Sequence, residues 1–178
     1  MDRRSAIVSS FAITAGIFLV PSCLQEKRKP SLELQNLAID SAKEDLLAEL
    51  SEAIIPKTST PGAKDLQSHL FALLMVDDCF SPAEQKQFLS GLDLFESNAK
   101  TRFGNSFVNC AAAQKTDLLQ SMEKKTGIPE DVLFFYNTMK KLTIQSFTTS
   151  KFFLTKIHIY EMVPSRWKGC IPLTKSNT

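Results

Sequence analysis

The chain has 178 residues, 43% of them hydrophobic and 22% charged, with 21 Lys+Arg against 19 Asp+Glu, 6 Gly, 8 Pro, 4 Cys and 2 His. These proportions exclude a disordered, collagen-like or disulfide-dense chain and fit one ordinary globular domain. A formal charge of +2 gives no sign of a nucleic-acid surface, which needs a concentrated basic stripe.

Residues 1–22 read as an export signal: Arg3 and Arg4, an apolar run from Ala6 to Val20, then small residues before Cys23. The run is 15 residues long and carries Ser9, Ser10, Thr14 and Gly16, whereas a spanning helix takes about 20 mostly apolar residues. Val20-Pro21-Ser22-Cys23 resembles a bacterial lipoprotein cleavage box, in which Cys23 receives the lipid and becomes the first mature residue. An ordinary signal with a fortuitous cysteine is the alternative. Arg3 and Arg4 also resemble a twin-arginine signal, used for proteins exported already folded, but Asp2 and the pair Ala6-Ile7 depart from its usual pattern. Both export routes stay open. The cluster Lys27-Arg28-Lys29 favours the folded route slightly, because positive charge behind an apolar segment hinders threading. It reads equally as part of a solvated tether.

Beyond the signal, residues 23–39 are predicted to be a lipidated tether, polar and without a period, and residues 40–178 to be the folded body. Removing the signal leaves 156 residues, enough to bury roughly 70% of the unfolded surface in a single core. Ser41-Ala-Lys-Glu44 predicts a capping box, with Leu46, Leu47, Leu50, Ala53 and Ile54 on the inner face of the first helix. Pro56 stops it, and Thr58-Ser-Thr-Pro61-Gly62 predicts a compact turn. A second helix is expected from Ala63, turning Leu66, Leu70, Leu73 and Leu74 inward and ending near Asp77-Asp78-Cys79. Ser81-Pro82-Ala83-Glu84 is the clearest start signal in the chain and opens a third helix carrying Phe88, Leu89, Leu92 and Phe95.

Residues Ser97 to Asn109 are polar, contain Gly104 and predict a loop; a fourth helix is expected from Ala111 to Lys125 with Gly127 as its stop. Pro129-Glu130-Asp131 opens a fifth. From Val132 to Val163 large apolar groups crowd the chain, among them both tyrosines. This predicts two helices broken near Thr148-Thr149-Ser150, with some strand character from the β-branched and aromatic residues. Hydrophobicity all round fits a central core helix first and a surface covered by another protein second. The fold class is therefore all-α, a compact helical bundle of about five to seven helices behind a signal and tether.

Catalytic motifs are missing from the sequence. The six glycines stand at 16, 62, 91, 104, 127 and 169, so neither the dinucleotide fingerprint nor the P-loop can be built. There is no C-x-x-C-H, C-x-x-C, H-E-x-x-H or G-x-S-x-G. His69 and His158 read as packing or surface residues, and Asp77-Asp78 and Glu130-Asp131 as helix-end charges. No catalytic, cofactor-binding or metal-binding residue is assigned. Of the cysteines left after export, Cys79 at a helix end and Cys170 in a polar loop form the candidate disulfide, while Cys110 is expected to be buried. The rival arrangement sends Cys170 to a partner subunit, since three thiols leave at least one unpaired within the chain.

Three phrases carry a resemblance: Glu52-Ala-Ile-Ile-Pro56-Lys-Thr58-Ser-Thr60-Pro61-Gly62-Ala63-Lys64-Asp65; Met75-Val-Asp-Asp78-Cys79 with Ser81 and Glu84-Gln85; and Tyr160-Glu-Met-Val-Pro164 with Lys168-Gly169-Cys170. They resemble the gluconate 2-dehydrogenase subunit 3 family across residues 40 to 173. The resemblance implies a helical, non-catalytic, export-assisting small subunit of a membrane-associated dehydrogenase of sugars, glycosides or sugar acids. FAD is then expected in a glucose-methanol-choline type flavoprotein partner and no cofactor in this chain, with a cytochrome c subunit or a quinone taking the electrons. Together with the lipoprotein box at Cys23 it places the chain in the cell envelope, facing the periplasm and held to a membrane by lipid. Family members commonly carry a plainer twin-arginine signal, so the lipoprotein box here is a departure. The proposed partner-facing residues are Tyr160, Pro164, Trp167, Gly169 and Cys170, with Trp167, the single tryptophan, as anchor. A free-standing envelope lipoprotein that binds a ligand or another protein is the competing class.

Overall fold

The computed structural model describes residues 30–160 apart from 126 and 159. Five α-helices occur there: α1 (Ser41–Ile54), α2 (Ser68–Cys79), α3 (Pro82–Phe103), α4 (Ala112–Lys124) and α5 (Glu130–Thr149). A 3-10 turn, Phe107–Asn109, precedes α4, and a π-helical turn, Phe153–Ile157, follows α5. No strand occurs among the described residues, so the body is the all-α bundle that the periodicities predict.

Helix α5 is the central element. It packs on α3 and α2 and touches α1. Its stretch from Val132 to Leu142 supplies Val132, Phe135, Tyr136, Met139 and Leu142 to the core. Phe135 meets Phe88 at 5.1 Å and Phe95 at 5.6 Å between ring centroids, and Phe95 meets Phe107 at 5.1 Å. These four rings are fully buried, and tilted or edge-on contact at such spacings adds to the area they remove from water. The α3–α5 approach is close because residue 91 is glycine: a Cβ there would stand 2.2 Å from the Asp131 carbonyl oxygen and 2.6 Å from the Phe135 Cβ. Asp131 reinforces the same contact, its carboxylate accepting hydrogen bonds from Gln87 Nε2 (3.1 Å) and Ser90 Oγ (2.9 Å).

Three boundaries differ from the sequence expectation. Asp40, not Ser41, caps α1, its carboxylate accepting from the Lys43 N–H at 2.8 Å, and Glu44 is engaged elsewhere. Helix α2 starts at Ser68, because Ala63 to Gln67 wind into tight turns and Gln67 is left-handed at φ 54°. Its inner face is therefore His69, Ala72, Leu73 and Val76, while Leu74, expected inside, is 42% exposed. Helix α3 runs on through Ser97 to Phe103, where a loop was expected. Phe88, Leu92, Phe95, Ala99 and Phe103 form one continuous stripe at helical spacing, and the polar residues between them face solvent. The helix stops at Gly104, whose φ of 72° places it in the left-handed region favoured after a helix end.

Candidate partner interface

Two surface segments are built from carboxylates that hold main chain. The first is a strap from Ser31 to Ile39. Asp77, 3% exposed at the end of α2, accepts from the N–H groups of Gln35, Asn36 and Leu37, each at 2.8 Å. Asn36 Nδ2 returns a bond to the Asp77 carbonyl at 3.0 Å. Glu44, equally buried, accepts from the Ser31 N–H and hydroxyl at 2.6 Å each. Leu37 and Ile39 enter the core. The stretch read as tether is thus held on the body from Ser31 onward. Burial pushes the Asp77 carboxyl up, but the three N–H donors outweigh it and keep it below its usual range.

The second segment is the Glu52–Asp65 phrase. Glu52 Oε1 accepts from the Lys57 N–H at 2.7 Å and Oε2 from the Lys64 N–H at 3.2 Å, clamping both ends of the turn. A Cβ at Gly62 would meet those oxygens at 2.4 and 2.7 Å, so only glycine leaves room. Asp65 accepts from the Gly62 N–H at 3.3 Å and pairs with Lys57 Nζ at 3.0 Å. Below the turn Glu49 binds Lys64 and Lys115 at 2.6 Å each. Burial raises the Glu49 carboxyl, and the two ammonium groups overcome that and hold it low. A shallow cleft of about 310 Å³ beside the turn is lined by Glu49, Glu52, Ala53, Pro56 and Lys115. Glu49 and Lys115 pair with one another there, Glu52 is engaged by main-chain N–H groups, and the Thr116 hydroxyl donates to the Ala112 carbonyl at 3.0 Å.

The end of α5 is different in kind. Ile144 is 43%, Ile157 55% and Tyr160 64% exposed, and Phe147, Phe152, Phe153 and Leu154 are only half-buried. Ser150 breaks the helix. Its hydroxyl donates to the Phe147 carbonyl at 2.7 Å and accepts from the Phe153 N–H at 3.2 Å, folding the last turn back so that Phe147 and Phe153 meet edge-on at 6.0 Å. The break expected near Thr148-Thr149-Ser150 is therefore present. The core reading of the apolar run holds up to Leu142; from Ile144 onward its described members are half-buried or exposed.

Of the residues singled out in the sequence, Tyr160 sits on this surface, and Arg3, Arg4, Cys23, Pro164, Trp167, Gly169 and Cys170 lie outside the described residues. Cys79 is an exposed free thiol; Cys110 is buried, with Sγ 3.4 Å from the Ser106 carbonyl oxygen, and burial pushes its thiol up. His69 is buried with Nδ1 unpartnered, and burial holds it below its usual range. Among the described residues no group of three His, Cys, Asp or Glu is placed to hold a metal, and no helix is long and apolar enough to cross a membrane. Sequence reasoning missed the roles of Glu44, Asp77 and Glu52, which act on partners 5 to 42 positions away. Charges beside a helix carry no local mark of such partners.

A family model described as Gluconate 2-dehydrogenase subunit 3 matches residues 41–164. No curated protein and no solved structure matches the chain.

Proposed function

Because the chain belongs to the gluconate 2-dehydrogenase subunit 3 family, we propose that it is the non-catalytic, export-assisting small subunit of a periplasmic FAD-dependent dehydrogenase of sugars, glycosides or sugar acids. The partner is a glucose-methanol-choline type flavoprotein, which holds the FAD and does the chemistry; a cytochrome c subunit completes the electron path. The observation that carries this reading is the apolar surface at the end of α5, where Ile144, Ile157 and Tyr160 stand in solvent. Exposed large side chains on a domain whose core is otherwise closed are what a second protein covers. A subunit that binds only the folded flavoprotein stabilises that form by mass action, which is how a chain without catalytic groups assists maturation. Lipid on Cys23 and the Arg3-Arg4 signal would set the assembly's address, at a membrane and outside the cytoplasm.

The test is to express the chain with its neighbouring genes, capture it, and look for a yellow partner that oxidises sugars. A flavoprotein that is exported and active after deletion of this gene would end the proposal. Substituting Cys23→Ser is expected to release the subunit from membranes, and Arg3→Lys with Arg4→Lys to retain the partner in the cytoplasm if the folded route operates.

A further inference from the structure

The near-zero net charge hides a segregation along the chain. Residues 30–131 hold 16 Asp+Glu against 9 Lys+Arg, whereas residues 132–178 hold 7 Lys+Arg against a single acid, Glu161. From Val132 to Tyr160 no carboxylate occurs. Lys140 is neutralised by Glu123 at 2.5 Å. Lys141, Lys151 and Lys156 are exposed, and none of them has an ion-pair partner among the described residues. They lie beside the exposed apolar residues in the chain: Lys141 stands three residues before Ile144, one turn along the same helix face, Lys151 precedes the π-helical turn Phe153–Ile157, and Lys156 lies within it next to Ile157.

We infer that this end of the molecule is a docking face for an apolar recess rimmed by carboxylates on the flavoprotein. The inference rests on the function proposed above and names the chemistry of the partner's side. Ile144, Ile157 and Tyr160 supply the apolar contact, and the three free ammonium groups steer the approach and fix its orientation. Exposed lysines without partners can meet an acidic rim without first opening an existing ion pair, so only side-chain entropy and partial desolvation oppose the contact. A bilayer surface is the other class that takes basic and apolar groups together. Binding there calls for a helix lying flat with its apolar face free, and the apolar face of α5 is already consumed by Phe135, Met139 and Leu142 in the core.

The test compares two double charge reversals of equal size in the full chain, Lys151→Glu with Lys156→Glu, and Lys86→Glu with Lys125→Glu on the other elements. Association with the purified flavoprotein is followed by biolayer interferometry at rising salt. The first pair is expected to slow association about tenfold at low salt and the second less than about twofold, with the gap closing as salt screens the charges. Equal slowing by both pairs overturns the inference and leaves the accessory role standing. Failure of the wild-type chain to bind any flavoprotein sinks both together. Vesicles of phosphatidylglycerol and phosphatidylcholine form the second arm. If Lys151→Glu with Lys156→Glu abolishes vesicle binding while flavoprotein association is unchanged, the face is a lipid surface and the inference fails.

Discussion

The two ends of the described body are held by opposite means. At the N-terminal end the strap from Ser31 to Ile39 is tied down by five hydrogen bonds to two buried carboxylates. At the C-terminal end the turn after α5 is held by its own local main-chain bonds, the Ser150 hydroxyl and one edge-on ring contact, and leaves its isoleucines and tyrosine in water. The difference teaches which end is finished. Main-chain donors gripped by a carboxylate have no further partner to seek, so the strap is fixed on the body from Ser31 onward. Apolar surface left in solvent still has free energy to gain from a partner, about 25 cal/mol for each Å² covered.

Among changes at the two ends and the turn between them, removing the strap's main grip should produce the largest effect. Asp77→Ala deletes three charge-assisted bonds at a site 3% exposed and is expected to cost about 2–4 kcal/mol, read from urea unfolding. Hydrogen exchange at the Gln35, Asn36 and Leu37 amides should accelerate before the rest of the body. Uniform loss of protection would mean the strap is not held separately.

The turn at Gly62 is the intermediate case, polar like the strap but exposed like the C-terminal end. Gly62→Ala places a Cβ 2.7 Å from the Lys57 nitrogen and against both Glu52 oxygens; overpacking of this kind costs about 1–3 kcal/mol. Lys64 should lose its bond to Glu52 with it. An unchanged melting temperature would show that the Glu52 carboxylate swings aside freely and does not clamp the turn.

Acid sharpens the contrast with a smaller effect. The Asp77 carboxyl is held below its ordinary value in the folded state. Its contribution is therefore complete above about pH 4, the unfolded carboxylate value, and disappears as the pH falls through the lower folded value. Asp77→Asn keeps the shape and one acceptor and should flatten that part of the acid limb. Glu49, Glu84 and Glu123 are held low as well, so the amides of the strap, and not global stability, are the readout that isolates Asp77.

How far the sequence speaks depends on the range of each interaction. Ser81 and Glu84 satisfy one another across three residues, with the Glu84 carboxylate accepting from the Ser81 N–H at 2.9 Å, and the box read from the sequence is present. Ser41 and Glu44 carry the same spacing and no box forms. Asp40 takes the cap one position earlier, and Ser31, 13 positions away, takes Glu44. The α3 extension was legible as a stripe from Phe88 to Phe103 but is masked by the polar face between its members. In the candidate interface, Tyr160 could be named from aromatic content, whereas Ile144 and Leu142 cannot be told apart by residue type. Their difference, 43% against 3% exposed, follows from how α5 lies on α2 and α3.

That difference frames the smallest prediction. Ile144→Ser with Ile157→Ser alters two side chains that are already largely hydrated, so stability should stay within about 0.5 kcal/mol of wild type. Leu142→Ser, two positions from Ile144 but buried at 3% exposure, removes a packed side chain and brings a hydroxyl into the core, at a cost of about 2–5 kcal/mol. Matched losses in the two variants, measured by thermal unfolding, would mean that the Ile144 surface is folded against the body and is not free for a partner. If instead the double variant is as stable as wild type and its complex with the flavoprotein dissociates faster, the apolar contact belongs to the interface, since lost anchors in an interface act mainly on the off-rate.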